Sequence, residues 1–288
     1  MPRTLPFDGE IITSRQNRRI VELMKLDDRR TREKNGTFRF DGVKLLCEAL
    51  CRGVELDSLF VRVGTAEKLE QRMRELYGYS LSDVSCPIFG VEDNLFEKIS
   101  QENAPEGVIT VAKYIDKSHN FIIIYKEDDS RVRKDAPVIL LESVRDPLNV
   151  GAIIRSAAAL GVGHLIMSAD CADIYHPRTL RAAMGPLFSL PITRVEDLPG
   201  TVRALRAQGR RVYAAALDDT AIRLGSPEMA MEKGSVPPCA VIGNEGHGLS
   251  EAVIQACDRS VYIPMEADTE SLNAGVAAAL IMWELCKS

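Results

Sequence analysis

IPMEADTESLNAGVAAALIMWEL, Ile263–Leu285, is the stretch whose reading decides the fold. Val261 to Ile263 closes an apolar strand, Pro264 stops it, and a polar loop follows. Ser271 is expected to open a long apolar helix, with Asn273 in its first turn. A serine at a helix start ordinarily caps backbone N–H groups. A helix N-terminus is also a ready site for polar ligands, because its first N–H groups have no partner within the helix.

Working outward, the C-terminal half repeats this alternation. PVILLES, Pro137–Ser143, is a nearly continuous apolar strand of the kind buried on both faces of a parallel sheet. It leads through a polar loop into the Ala-rich helix of VRDPLNVGAIIRSAAALGV. HLIMS, RVYAAAL, PCAVIG and SVYIP read as further strands, and DIYHPRTLRAAMG and LPGTVRALRAQG hold helices. FSLPI reads as an edge strand, since Pro191 would interrupt a central one. Five or six short strands joined by helices predict a doubly wound, mainly parallel sheet over 137–288.

Strands and helices also alternate upstream. A helix from Ser14 puts Ile20, Leu23 and Met24 on one face and breaks at Asn35-Gly36. FRFDG, LDSLFVRV, CPIFGV and GVITVAKY read as strands, with helices over Val43–Cys51, TAEKLEQRMREL and NLFEKIS. Residues 1–116 are therefore expected to form a small α/β domain. Polarity rises over 117–136 around FIIIY, which reads as a linker with room for one strand.

Composition bounds the rest. The 288 residues suffice for one large or two ordinary domains, and 45% are apolar. No apolar run reaches the roughly 18 residues of a membrane span, and MPRTLPFDGE lacks an apolar signal region. The seven cysteines are scattered and never form C-x-x-C, as expected of reduced core residues in a cytoplasmic protein. The net charge of −5 argues against a nucleic-acid binder, but binding depends on local patches. Ser14–Lys34 carries eight Lys/Arg against four Asp/Glu, and RALRAQGRR, Arg203–Arg211, has four Arg and no acid.

Ligands of a parallel α/β sheet bind at the carboxyl ends of its strands, where three polar loops fall here. The first holds Arg145, Asp146, Asn149, Gly151 and Arg155; the second is GNEGHGLS; the third holds Ser271 and Asn273. GNEGHG has the wrong glycine order for a dinucleotide fingerprint and lacks the P-loop Lys, and Glu245 would repel a pyrophosphate. That disfavours a Rossmann oxidoreductase. No G-x-S-x-G elbow supports serine hydrolysis, and the four histidines show no metal-ligand spacing, so no metal is expected.

N-x-G-x-x-x-R (Asn149, Gly151, Arg155), G-N-E-G-x-G (Gly243–Gly248) and I-P-M-x(5)-S-L-N (Ile263–Asn273) resemble, in this order, the three motifs of the SpoU (TrmH-like) family. These are S-adenosyl-L-methionine (SAM)-dependent RNA ribose 2′-O-methyltransferases of the SPOUT superfamily. SRQNRRI and FDGVKLLCEAL likewise resemble the RNA-binding domain that precedes the catalytic domain in many members. The resemblance implies a C-terminal α/β knot, a deep trefoil built around GNEGHG and IPM, a homodimer with its site at or near the dimer interface, and SAM bound bent in the knot. It assigns cofactor binding to Gly243, Ile263, Leu272 and Leu217. Catalysis falls to Arg155, Asn149, Glu245, Ser271 and Asn273, with Arg155 orienting ribose and phosphate and Glu245 positioning Arg155 or the RNA. Three positions depart from the common pattern: Ala183, Ala267 and Ala274-Gly275. The implied substrate is ribosomal RNA, with tRNA, or a catalytically silent RNA-binding or ribosome-assembly factor of the same fold, as the alternatives.

Overall fold

The computed structural model describes residues 7–118, 132–230, 235–266 and 271–287. The chain divides into two compact units, Met1–Ile115 and Asp116–Ser288. FIIIY and Ala267 lie outside the described residues.

The first unit begins with two helices, α1 (Arg18–Lys25) and α2 (Arg29–Asn35), where the sequence reads as one. The break is held from both sides. Asp28 caps α2 by accepting from the Thr31 N–H, and the buried Arg32 guanidinium donates back to the carbonyls of Leu26 and Asp27. Then follow β1 (Thr37–Asp41), α3 (Val43–Cys51), β2 (Leu56–Arg62), α4 (Ala66–Tyr77), β3 (Ile88–Val91), α5 (Asp93–Ile99) and β4 (Val108–Lys113). The strands form a sheet of order β1-β4-β2-β3, in which β4 runs antiparallel to β1 and β2. Alternate residues face opposite sides, so Phe60, Phe89 and Ile109 pack with α1 and α5 while Leu59, Val61 and Val108 pack with α3 and α4.

The second unit contains β5 (Lys117–Ser118), β6 (Val138–Leu141), α6 (Pro147–Leu160), β7 (His164–Ser168), α7 (Pro177–Ala183), the single turn α8 (Pro186–Ser189) and β8 (Ile192–Val195). It continues with α9 (Leu198–Ala207), β9 (Val212–Ala215), β10 (Ile222–Arg223), β11 (Cys239–Ile242), α10 (Glu251–Ala256), β12 (Arg259–Tyr262) and α11 (Ala274–Cys286). The strands form one sheet of order β10-β12-β9-β11-β6-β7-β8-β5, and its recorded pairings are all parallel. Among the described residues it has eight strands, with the two-residue β10, too short to read from periodicity, at one edge and β5 at the other.

FSLPI does not form the edge strand expected of it: Phe188 and Ser189 lie in α8, and β8 runs Ile192–Val195 between β7 and β5. Pro191 precedes its first paired residue, so the missing N–H costs no ladder bond, and the Pro191 carbonyl accepts from the Leu165 N–H. On one face Val138, Leu140, Ile166, Val212 and Val241 pack against Leu198, Val202 and Leu205 of α9 and Val253 of α10. The other face carries α6 and α11. No described helix is long and apolar enough to cross a membrane.

Candidate active site

The carboxyl ends of β9, β11 and β12 and the first turns of α11 enclose a cavity of about 800 Å³, within the usual range for small-molecule sites. Gly243, Ile263, Leu272 and Leu217 all line it, together with Glu245 and Ser271. Its walls are largely apolar, including Ile242, Ala277 and Ile281. Glu245 and Glu266 supply carboxylates, and no Lys or Arg lines it among the described residues. Such a lining suits an uncharged or cationic ligand with an apolar body. A sulfonium nucleoside such as SAM meets that description, so the residues present fit that cofactor.

The loop after β11 is closed by its own backbone. The Asn244 N–H donates to the Gly248 carbonyl at 3.1 Å, and the Gly248 N–H returns to the Asn244 carbonyl at 2.9 Å. Any Cβ at position 243 would collide with the Gly248 carbonyl, so glycine there is a condition of loop closure. Asn244 braces the turn: its Oδ1 accepts from the N–H groups of Gly246 (2.8 Å) and His247 (3.3 Å), and its Nδ2 donates to the Ser143 carbonyl at 2.8 Å.

A chain of amides joins the three motif loops. α6 starts at Pro147, capped by Asp146, which places the buried Asn149 in its first turn. Asn149 Nδ2 donates to Glu245 Oε1, and Asn149 Oδ1 accepts from Asn273 Nδ2 at 2.9 Å. Asn273 Oδ1 in turn accepts from the N–H groups of Gly275 (2.9 Å) and Val276 (3.3 Å). The helix N–H groups thus fix the direction of both amides, one after the other, and aim a donor at Glu245. This corrects two expectations. α11 begins at Ala274 rather than Ser271, and its cap is Asn273. Ser271 is an exposed loop residue on the cavity wall.

Arg155 stands apart from the cavity, on the exposed face of α6, with Nη1 3.8 Å from Met184 Sδ. Glu245 does not hold it among the described residues; Asn149 holds Glu245 instead. Met184 has φ of 54°, an unfavourable region for a side chain, at the end of α7. Gly151 is needed for packing: a Cβ there would lie 2.5 Å from Ala182 Cβ and 2.7 Å from the Thr179 carbonyl, where α6 meets α7. Ala183, one of the departures from the common pattern, is buried at this crossing.

Reading the sequence misses a second ring of residues. Ser143, with φ of 55°, lies two residues past β6, and its Oγ donates to Asp170 Oδ2 at 2.6 Å; Ser168 donates to Asp170 Oδ1 at 2.6 Å. Partial burial pushes the Asp170 carboxyl up, but hydrogen bonds from Ser143, Ser168 and Arg145 outweigh it and hold it below the usual carboxylate range. Glu142 accepts from the backbone N–H (2.8 Å) and hydroxyl (2.6 Å) of Ser250, fixing the start of α10. Nothing in PVILLES signals these roles. Asn244 carries a signal, since an Asn two residues before a Gly in a loop suggests an Asx-turn.

Residues 136–283 match the model of the SpoU rRNA Methylase family, and residues 17–110 match that of the MRM3-like substrate binding domain. The chain is 28% identical to the 23S rRNA (guanosine(2553)-2′-O)-methyltransferase RlmP of Bacillus subtilis (strain 168), over 95% of this chain and 98% of that protein. It is 32% identical to a 23S rRNA (uridine(2479)-2′-O)-methyltransferase of Streptomyces viridochromogenes, over 95% and 90%. Among solved structures, the SpoU methyltransferase AviRb of Streptomyces viridochromogenes in complex with AdoMet superposes with a TM-score of 0.75 at 30% identity, covering 94% of this chain and 98% of that one.

Proposed function

The chain belongs to the SpoU rRNA methylase family, and from that premise we propose that it transfers a methyl group from SAM to a ribose 2′-hydroxyl of ribosomal RNA. The observation that carries this reading is the cavity lined by Gly243, Ile263, Leu272 and Leu217, with the Asn273–Asn149–Glu245 chain at its side. SAM supplies an electrophilic methyl on a sulfonium. Transfer of that methyl to the ribose oxygen would break its C–S bond and would require the hydroxyl proton to leave. A guanidinium is too weak a base to accept that proton, so Arg155 orients the ribose and its phosphate and stabilises the oxyanion, with the phosphate taking the proton. Asn149, itself oriented by Asn273, holds Glu245 in one orientation, and Ser271 would contact cofactor or substrate from the cavity wall.

The first unit, which matches a substrate-binding model, binds the RNA. An RNA substrate sets the reaction in the cytoplasm. The C-terminal segments form a trefoil knot in this reading; it is supported by the strand order, in which β11 lies between β6 and β9 while β12 lies beyond β9.

Two copies join through α6 and α11. Val276, Leu280 and Trp283 recur at i, i+4, i+7 on α11 and stay exposed, as do Leu148, Ala152, Arg155 and Ala159 on α6. The two stripes are continuous, since a Cβ at Gly275 would lie 3.5 Å from Ala152 Cβ. Trp283 is 60% exposed, costly for the largest apolar side chain unless a partner covers it. Arg155 lies on this face, so the dimer brings it to the junction of two subunits. Trp283→Asp is expected to sediment as a monomer; an unchanged dimer refutes this interface. Calorimetry with SAM and mapping of ribose methylation in 23S rRNA test the reaction. Absence of SAM binding, with and without RNA, refutes it.

A further inference from the structure

RALRAQGRR has no part in methyl transfer, and the structure gives it another setting. Arg206 ends α9 and pairs twice with Asp258 Oδ1 at 2.7 Å, while Asp258 Oδ2 accepts from the Val212 N–H. Arg210 is 3% exposed and donates to the carbonyls of Lys134, Pro237 and Ala136. These two arginines are committed to the fold. Arg211 and, from the start of β12, Arg259 are both exposed; Arg211 Nη1 donates to the Glu228 carbonyl at 3.3 Å, and the Arg259 side chain makes no hydrogen bond among the described residues.

All four arginines line a cavity of about 570 Å³ at the amino ends of β9 and β12, opposite the first cavity. Its carboxylates are Asp258, already neutralised by Arg206, and Glu228, so two positive charges remain in excess. Tyr213 also lines it, and its buried hydroxyl has no hydrogen-bond partner. The protein is acidic overall, so this basic cavity is a local construction.

We propose that this cavity binds a phosphate group, held by the guanidinium forks of Arg211 and Arg259. Each fork matches two phosphate oxygens. The phosphate comes either from the RNA backbone or from a free phosphate ion. Tyr213 and Ala215 on β9, and Arg259 and Val261 on β12, line one cavity each and are about 7 Å apart along their strands. A polynucleotide engaged at one end therefore has phosphates near the other. The RNA source rests on the function proposed above; the free-phosphate source does not.

The double substitution Arg211→Gln/Arg259→Gln tests it, since both side chains are exposed and melting temperature checks the fold. With total ribosomal RNA, the variant is expected to bind roughly tenfold more weakly, with the salt slope reduced by about one, and to bind SAM as before. If RNA binding is unchanged but inorganic phosphate binds the native protein and not the variant, the site holds the free ion. If neither RNA nor phosphate binding changes, the proposal is overturned. Loss of SAM binding or methyl transfer in the native protein itself counts against the methyltransferase reading and leaves the phosphate measurement standing.

Discussion

At the carboxyl ends of β9 and β12 the chain builds a cavity with apolar walls and two carboxylates; at the amino ends of the same strands it builds one with four arginines. The strands between are short and share one parallel sheet, so much of the contrast comes from how helices connect to it. A connecting helix runs back against the strands, bringing helix N-termini to the carboxyl ends and helix C-termini to the amino ends. Unpaired N–H groups gather at one end and unpaired carbonyls at the other. Asp146, Ser250 and Asn273 answer the N–H groups by capping three helices. Arg206 answers a carbonyl, donating to Ala256 at the end of α10. Polar chemistry at each end grows from the groups that finish the helices.

The strongest way to break this division is to remove the arginine assigned to the carboxyl-end chemistry. Arg155→Ala is expected to lower methyl transfer by about 10²–10³-fold, the loss typical of a deleted oxyanion donor, while SAM affinity stays within about twofold. Arg203→Gln, exposed in the basic stretch, is expected to leave transfer unchanged. A rate within tenfold of native for Arg155→Ala removes Arg155 from the reaction.

A second test acts on the loop. In Gly243→Ala the new methyl must displace Gly248, which is expected to cost about 1–3 kcal/mol of stability and to weaken SAM binding by roughly tenfold. Denaturant unfolding and calorimetry measure the two effects. Native-like values in both would mean that the loop closes without a glycine.

The legibility of the molecule divides along similar lines. Elements longer than one turn are visible because burial imposes a period: PVILLES, HLIMS and PCAVIG are apolar throughout and become β6, β7 and β11. The break between α1 and α2, the two-residue β10 and the interior position of β8 depend on single hydrogen bonds or on neighbours far along the chain, which leave no periodic trace. The candidate site is legible as three motifs: Gly243 and Glu245 of the second and Ile263, Ser271 and Leu272 of the third line one cavity, which the first joins through the Asn149 bond to Glu245. What each residue does locally is less legible. Asn273 reads as a first-turn residue of a helix opened by Ser271, yet it caps α11 itself and orients Asn149. Sequence spacing shows that a cap is needed near residue 271, but not which polar side chain reaches the N–H groups.

That double duty can be separated. Asn273→Asp keeps an acceptor for the Gly275 and Val276 N–H groups, and Asp and Asn cap about equally well, so stability is expected to change by less than about 0.5 kcal/mol. It loses the donor to Asn149. One orientation of the Asn149 amide then points its oxygen at the introduced carboxylate, and the other points it at Glu245. Glu245 is no longer held, and kcat is expected to fall roughly tenfold with melting temperature unchanged. A native kcat would show that the amide chain is only a brace; Asn273→Ala, which loses cap and donor together, is expected to lose stability as well as kcat.

The smallest effect concerns the second ring, where a carboxylate, and not an arginine, ties the carboxyl-end loops. Asp170 holds Ser143, whose carbonyl accepts from Asn244. Its folded-state pKa is depressed by the hydrogen bonds of Ser143 and Ser168 and by Arg145, against the upward push of burial. A depressed carboxylate contributes stability above its unfolded pKa of about 4, and that contribution disappears as pH falls through the lower folded value. Because Asp170 is half exposed, solvent screening keeps the effect to a few tenths of a kcal/mol. Asp170→Asn should therefore lower the urea midpoint slightly at pH 7, and the difference from the native protein should close below pH 4. A gap that persists at pH 3 would mean that the hydroxyl contacts, which an amide partly preserves, matter more than the charge. The tie between β6 and the Asn244 loop would then be one of shape, and the contrast between the two ends of the sheet would rest on the helix caps alone.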